Sequence, residues 1–211
     1  AEQLFKDQMA FFKPSSGEHK RSVLIEFVSA NPTGPLHFGH GRGGIIGDVL
    51  ANVLTFCGHR TLKEFYINDA GSQIQKLGNS FKIRCMQAAG KDASLPEDAY
   101  HGEYLLELAK KTYAQMGPEL LEMPDSFFSE HAKTIMLAQI KETLTKYGID
   151  FDSWFSEKQL HEDGSIERAL SLLDKAGHLY TQDDATWFRS TTFGDDKDRV
   201  LQRGSGEKTY A

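Results

Sequence analysis

The apolar positions change period twice along the chain, and each change marks a change of architecture. Val23-Leu-Ile-Glu-Phe-Val28 is apolar at successive positions, the pattern of a strand covered on both faces and therefore expected in the middle of a parallel sheet. A turn rich in glycine and proline follows. From Gly39 to Cys57 the apolar positions recur at helical spacing: Ile45, Ile46, Val49, Leu50, Val53, Leu54 and Phe56 make one broad face, with Gly58 placed to end the helix. Thr61 to Ile67 then reads as a second strand. Strand, turn, helix and strand make a βαβ unit, and in sheets built from such units ligands sit at the carboxyl ends of the strands.

Past Asn68-Asp-Ala-Gly71 the period becomes helical, over about residues 73–89, 101–116 and 127–147, with Lys91-Asp-Ala-Ser-Leu-Pro96 as a linker. Asp150 to Phe155 predicts a short aromatic strand or turn, Ser165 to Ala176 an amphipathic helix, and Ala185 to Ser190 and Arg199 to Gln202 two strands, the last read as a return to a sheet. Residues 2–12 read as a helical stub ended by the polar loop Lys13 to Arg21, and a start inside a helix suggests the tail of something larger.

With 211 residues, 39% hydrophobic and 26% charged, the chain can bury one good core, or one core plus a smaller attached domain. No apolar run approaches the roughly 18 residues that span a bilayer, and the first residues lack the pattern of a signal peptide. The expected location is the cytoplasm, with no membrane partner. Cys57 and Cys85 lack paired metal-ligand spacing, so reduced thiols are expected and no structural metal. A net charge of −6 argues against a surface dedicated to coating nucleic acid.

The chemistry concentrates between the first strand and its helix. Two histidines three residues apart, His37 and His40, flank Gly39 where backbone N–H groups and imidazoles can surround a phosphate. Removing one preorganised donor of this kind typically costs ~10²–10³ in rate. The same residues could instead cap the helix, or less readily bind a metal. Glu26 interrupts an apolar strand, where an ionised carboxylate needs a partner; a guanidinium fits best, although water near the strand end or a basic side chain of the protein would also serve. Ser29, Asn31 and Thr33 offer neutral hydrogen-bond partners, Pro32 and Pro35 stiffen the turn, and Tyr210 could stack on a ligand or pack in a core. Phe151, Trp154 and Phe155 read as packing, and Gly194 to Arg199 as a solvated loop.

Taken together, Ile25 to His40, Tyr66-Ile-Asn-Asp-Ala-Gly71, Phe128-Ser-Glu-His131, Trp187 to Arg199 and Thr209-Tyr210 closely resemble bacterial arginyl-tRNA synthetases, in order along nearly the whole chain. The resemblance implies an α/β fold: a Rossmann-type nucleotide-binding half-fold interrupted by a mostly helical connective insertion. It would divide the chain into an N-terminal helix and linker (1–21), the first half of the catalytic domain (22–71), the insertion (72–185) and a return to the catalytic domain (186–211). By resemblance the activity is an ATP-dependent, AMP-forming ligase, with MgATP and L-arginine as substrates and tRNA(Arg) as partner. The motif would be Ala30-Asn31-Pro32-Thr33-Gly34-Pro35-Leu36-His37-Phe38-Gly39-His40. Within it His37 and His40 would be catalytic, and Pro35, Leu36, His37, Phe38, Gly39 and His40 would bind ATP. Ser29, Asn31 and His40 would hold the amino-acid end of arginine, and Glu26 and Tyr210 its guanidinium.

In the resembled family a further guanidinium-reading aspartate, the second half of the nucleotide fold and tRNA-reading domains lie outside the matching stretch. The chain is therefore expected to be a fragment, inactive alone. Two other functions compete: a different His-x-Gly-His nucleotidyltransferase acting on a small metabolite, and a non-catalytic module holding tRNA or a protein partner.

Overall fold

The computed structural model describes residues 20–209, so the expected helix at 2–12 and Tyr210 lie outside the described residues. The chain forms two compact units, one running to Lys158 and the other beginning at Gln159.

In the first unit, β1 (Ser22–Glu26), α1 (Phe38–Phe56) and β2 (Arg60–Ile67) form the expected βαβ unit, with β1 and β2 parallel and Glu26 in register with Glu64. Three helices follow: α2 (Ser72–Ala88), α3 (Glu103–Met116) and α4 (Asp125–Lys146), the last two joined by a 3₁₀ turn at Gly117–Glu122. They close on a core of their own around Leu77, Phe81, Leu105, Phe128 and Met136. Gly78 permits this packing, because a Cβ there would lie 2.7 Å from the Ser129 backbone. The chain then rejoins the sheet: β3 (Ser153–Ser156) pairs parallel with β2, giving the order β1-β2-β3. Return to the parallel sheet thus falls inside the span expected to be insertion.

The position of β1 corrects one expectation. Among the described residues it is an edge strand and not a central one. Alternate residues of a strand face opposite ways, and only the side carrying Phe65 and Ile67 is covered, by Ile140 and Leu144 of α4. The other side carries Leu24 and Leu62, which are 57% and 43% exposed.

Helix α1 is the second correction. Its buried residues are the small ones, Gly44, Gly47 and Ala51, and this narrow stripe lets the helix approach the chain so closely that a Cβ on Gly47 would lie 2.2 Å from the Phe27 ring. The bulky face expected to be core stands in solvent instead, with Ile46 62% and Val49 53% exposed. A second apolar core fills the space beneath: Phe65, Ile67, Ile140, Leu144 and Ile149, with Phe27 tilted against Phe151 and Trp154 stacked on Phe65. The aromatic cluster is packing, as its composition indicates.

After α5 (Glu157–Glu162), the second unit holds α6 (Ser165–Lys175) and an antiparallel sheet of β4 (Leu179–Gln182), β5 (Ala185–Phe188) and β6 (Arg199–Gln202). The strand at 199–202 therefore returns to a sheet separate from the parallel one, and the antiparallel sheet's first strand lies inside the span expected to be insertion. Nor is Gly194 to Arg199 merely a solvated loop. Arg199 forks onto Asp195 at 2.6 and 2.7 Å, and Asp198 accepts hydrogen bonds from Thr191 and Tyr180. The guanidinium holds the Asp195 carboxyl well below the usual carboxylate range. No helix among the described residues is long and apolar enough to cross a membrane.

Candidate active site

The residues between β1 and α1 converge at the carboxyl edge of the parallel sheet. The turn begins with two successive non-glycine residues in the left-handed region, Val28 (φ 66°) and Ser29 (φ 38°). For a β-branched valine this conformation is costly, on the order of 1–3 kcal/mol, and such outliers gather where function needs the backbone re-aimed. Here it swings the chain out of the strand, so that the Tyr66 N–H, next in β2, bonds to the Ser29 side-chain oxygen (3.1 Å). Ala30 and Pro32 are then buried, anchoring the turn from below. From the helical region the Tyr104 hydroxyl donates to the Thr33 carbonyl (2.5 Å), and Gly34 leaves room for that ring.

His37 and His40 lie together at the start of α1, rings stacked at 3.6 Å. They form a reciprocal cap: Nδ1 of His37 accepts from the Gly39 N–H (3.1 Å), and Nδ1 of His40 accepts from the His37 N–H (3.2 Å). Capping and chemistry are thus compatible, because the cap uses one nitrogen of each ring. An accepting Nδ1 places the proton of a neutral imidazole on Nε2. Each ring therefore keeps an Nε2–H donor with no partner among the described residues. Burial, and then the neighbouring His37, lowers the pKa of His40, keeping it neutral near pH 7. A Cβ on Gly39 would meet the His37 ring at 3.0 Å, so this glycine makes room for the imidazole. The first turn of α1 contains no acidic side chain, leaving its positive end uncompensated. Leu36 packs into the core below, whereas Pro35 is exposed and Phe38 is 93% exposed.

Glu26 is not lodged in an apolar core. It is exposed on the uncovered side of the sheet, with no ion-pair partner among the described residues. Its neighbour in register is Glu64, whose carboxylate accepts from the Ser153 hydroxyl (2.9 Å). Two adjacent carboxylates repel, and a cation bound there would relieve both.

Asn31 donates through Nδ2 to Oε1 of Gln73 in the first turn of α2 (2.8 Å). Asp69 holds the end of the sheet, accepting from the Ser156 hydroxyl (2.9 Å) and the Lys158 N–H (3.0 Å), with Lys133 at 3.7 Å. Glu64, Gln73 and Tyr104 carry no signal in the sequence reading, and Asp69 enters it only within the motif Tyr66-Ile-Asn-Asp-Ala-Gly71. A position at the carboxyl end of β2 could have marked Asp69 and Gln73; no local pattern marks Tyr104. No group of three or more His, Cys, Asp or Glu side chains among the described residues is arranged to hold a metal.

A parallel sheet with a helix start and imidazole donors at its carboxyl edge is the Rossmann-type arrangement in which ligands sit at that edge. More narrowly, residues 3–211 match the family model described as tRNA synthetases class I (R), catalytic domain, and the chain belongs to that family. It is 48% identical over 192 residues to an arginine–tRNA ligase of Geobacillus kaustophilus and 47% identical over 192 residues to one of Bacillus licheniformis, each alignment covering 89% of this chain and 34% of the relative. A solved Campylobacter jejuni structure described as an arginyl-tRNA synthetase superposes with a TM-score of 0.88 at 35% identity, over 99% of this chain and 46% of that one. The Thermus thermophilus arginyl-tRNA synthetase, at 24% identity and a TM-score of 0.65, shares the fold. The chain spans about a third of the length of the curated relatives it matches.

Proposed function

We propose that this chain supplies the first part of the catalytic site of an arginine–tRNA ligase, which activates L-arginine with MgATP and transfers it to the 3′ end of tRNA(Arg). In the activation step a carboxylate oxygen of arginine attacks the α-phosphorus of ATP, the bond to the bridging oxygen breaks, and pyrophosphate leaves with that electron pair. The protein supplies no nucleophile; it orients the reactants and meets the charge that develops on the phosphates. His37 and His40 offer Nε2–H donors for this, and the uncompensated end of α1 adds partial positive charge. Pro35, Leu36, Phe38 and Gly39 form the rest of the ATP-binding turn. Ser29, Asn31 and His40 hold the amino-acid end of arginine. Glu26, beside Glu64, reads the guanidinium. Lysine leaves such a paired acid site with unmade charged hydrogen bonds, each worth about 1.5–3 kcal/mol.

The reciprocal histidine cap carries the proposal. It accounts for both rings and leaves two Nε2–H donors side by side at the sheet edge. In a chain of the relatives' full length, His40→Ala should lower arginine-dependent ATP–pyrophosphate exchange by ~10²–10³. Exchange that survives this substitution would remove the reading. The 211-residue chain alone should show no exchange, since it spans about a third of the relatives.

A further inference from the structure

We infer that Tyr104 is a positioning residue that fixes the crest of the ATP-binding turn, Thr33 to Pro35, an inference that rests on the ATP reading above. The turn is anchored on either side of this crest and hardly within it. Ala30 and Pro32 are buried before it, and Leu36 packs into the second core after it. Thr33, Gly34 and Pro35 contribute no side chain to either core. Within the turn the Thr33 N–H closes back onto the Asn31 carbonyl (2.8 Å). From outside the turn, one hydrogen bond reaches the crest among the described residues, that of the Tyr104 hydroxyl to the Thr33 carbonyl (2.5 Å).

Both ends of that bond are fixed in kind and in place. A carbonyl can only accept, and burial, with Tyr100 adding to it, raises the pKa of Tyr104, so the phenol keeps its proton and donates. The ring packs against the core of the three-helix body. Two glycines close on it: a Cβ on Gly102, just before α3, would lie 2.3 Å from Cε1, and one on Gly34 would lie 3.3 Å from both Cζ and the hydroxyl oxygen. A ring held this tightly has little room to slide. Tyr104 thereby lends the rigidity of a body with its own core to three residues that have none. The effect is selective along the chain. Glu26, Ser29 and Asn31, on the arginine side of the reading, precede the buried Pro32, whereas Pro35 of the ATP-binding turn follows it. Without the tether the crest samples more positions, and binding ATP must order it.

The test uses a chain of the relatives' full length and reads arginine-dependent ATP–pyrophosphate exchange. Tyr104→Phe removes the hydroxyl and keeps the ring; it should raise the ATP KM about fivefold, the loss of one hydrogen bond, and leave the arginine KM unmoved. A merely structural role gives a different pattern, less active protein with both KM values unchanged. Gly34→Ala crowds the same hydroxyl from the other side. It should also raise the ATP KM, but add little to Tyr104→Phe, because the bond it strains is then already gone. An unchanged ATP KM in Tyr104→Phe, an equal rise in both KM values, or full additivity of the two substitutions would overturn the inference. His40→Ala separates the two levels of argument. If it abolishes exchange and Tyr104→Phe leaves the ATP KM unmoved, the positioning role fails alone; if exchange survives His40→Ala, the ATP reading itself fails.

Discussion

Replacing Gly47 with alanine should damage activity far more than stability, because the contact it disturbs sets the distance between α1 and the turn that precedes it. An alanine Cβ would fall 2.2 Å from Cγ and 2.5 Å from Cδ2 of Phe27. Carbon atoms settle at about 3.5 Å or more, so something must retreat by roughly 1 Å. Phe27 has little room to do so, since its ring packs on Phe151 at 4.5 Å within the core. The helix moves instead and carries His37 and His40 away from Ser29 and Asn31. Overpacking of this kind costs about 1–3 kcal/mol, and the better helix propensity of alanine returns about 1 kcal/mol, leaving a net loss of roughly 0–2 kcal/mol. A 1 Å misplacement in the reacting constellation costs ~10²-fold in rate. Gly43→Ala is the internal control, since its Cβ would meet nothing within 4 Å; it should gain about 1 kcal/mol and keep activity. Urea unfolding of the 211-residue chain reads the stabilities, and pyrophosphate exchange in a chain of the relatives' full length reads the rates. The reasoning is refuted if Gly47→Ala matches Gly43→Ala in stability and leaves exchange undiminished.

Two further outcomes follow from burial. Burial pushes the Cys85 thiol up to about 12 whereas Cys57 is exposed, so a disulfide reagent should titrate one thiol rapidly in the native chain and the second only in denaturant; two fast thiols would contradict the packing of α2 on α3 and α4. Burial lowers the pKa of His131, and burial with the charge of His37 lowers that of His40. As pH falls through the ordinary histidine value of about 6.5, the unfolded chain takes up protons that the folded chain resists, so stability is lost on acidification and is fully present above that value. The urea midpoint should be level from pH 8 to 7 and fall below ~6.5, with both imidazoles titrating below that value by NMR; a midpoint that rises on acidification would contradict this.

The βαβ unit, the three helices between β2 and β3 and the histidine turn are all legible in the sequence, because each rests on local period or on glycine and proline punctuation. What the sequence could not convey was which surface each element would meet. The bulky face of α1 reads as core by period alone, yet the helix docks through Gly44, Gly47 and Ala51, a stripe with too little apolar mass to register. Glu26 follows the same logic: an apolar strand on both faces predicts a buried acid, but only one face of β1 and β2 is covered among the described residues. The partners that shape the site arrive from far along the chain. Gln73 reaches Asn31 across 42 positions and Tyr104 reaches Thr33 across 71, and nothing near either residue announces the contact.

The left-handed valine and serine have a consequence for anyone trying to strengthen this molecule. Glycine would relieve the steric strain at both positions, at a cost in backbone entropy, so a search scored on local backbone strain alone would drift towards it. The prize would be a hinge in place of a bracket: with the side chains gone, the Tyr66 amide loses its hydroxyl companion and the residues leading to the paired imidazoles gain freedom to wander. Resilience and aim pull against each other at this bend, and the native residues favour aim.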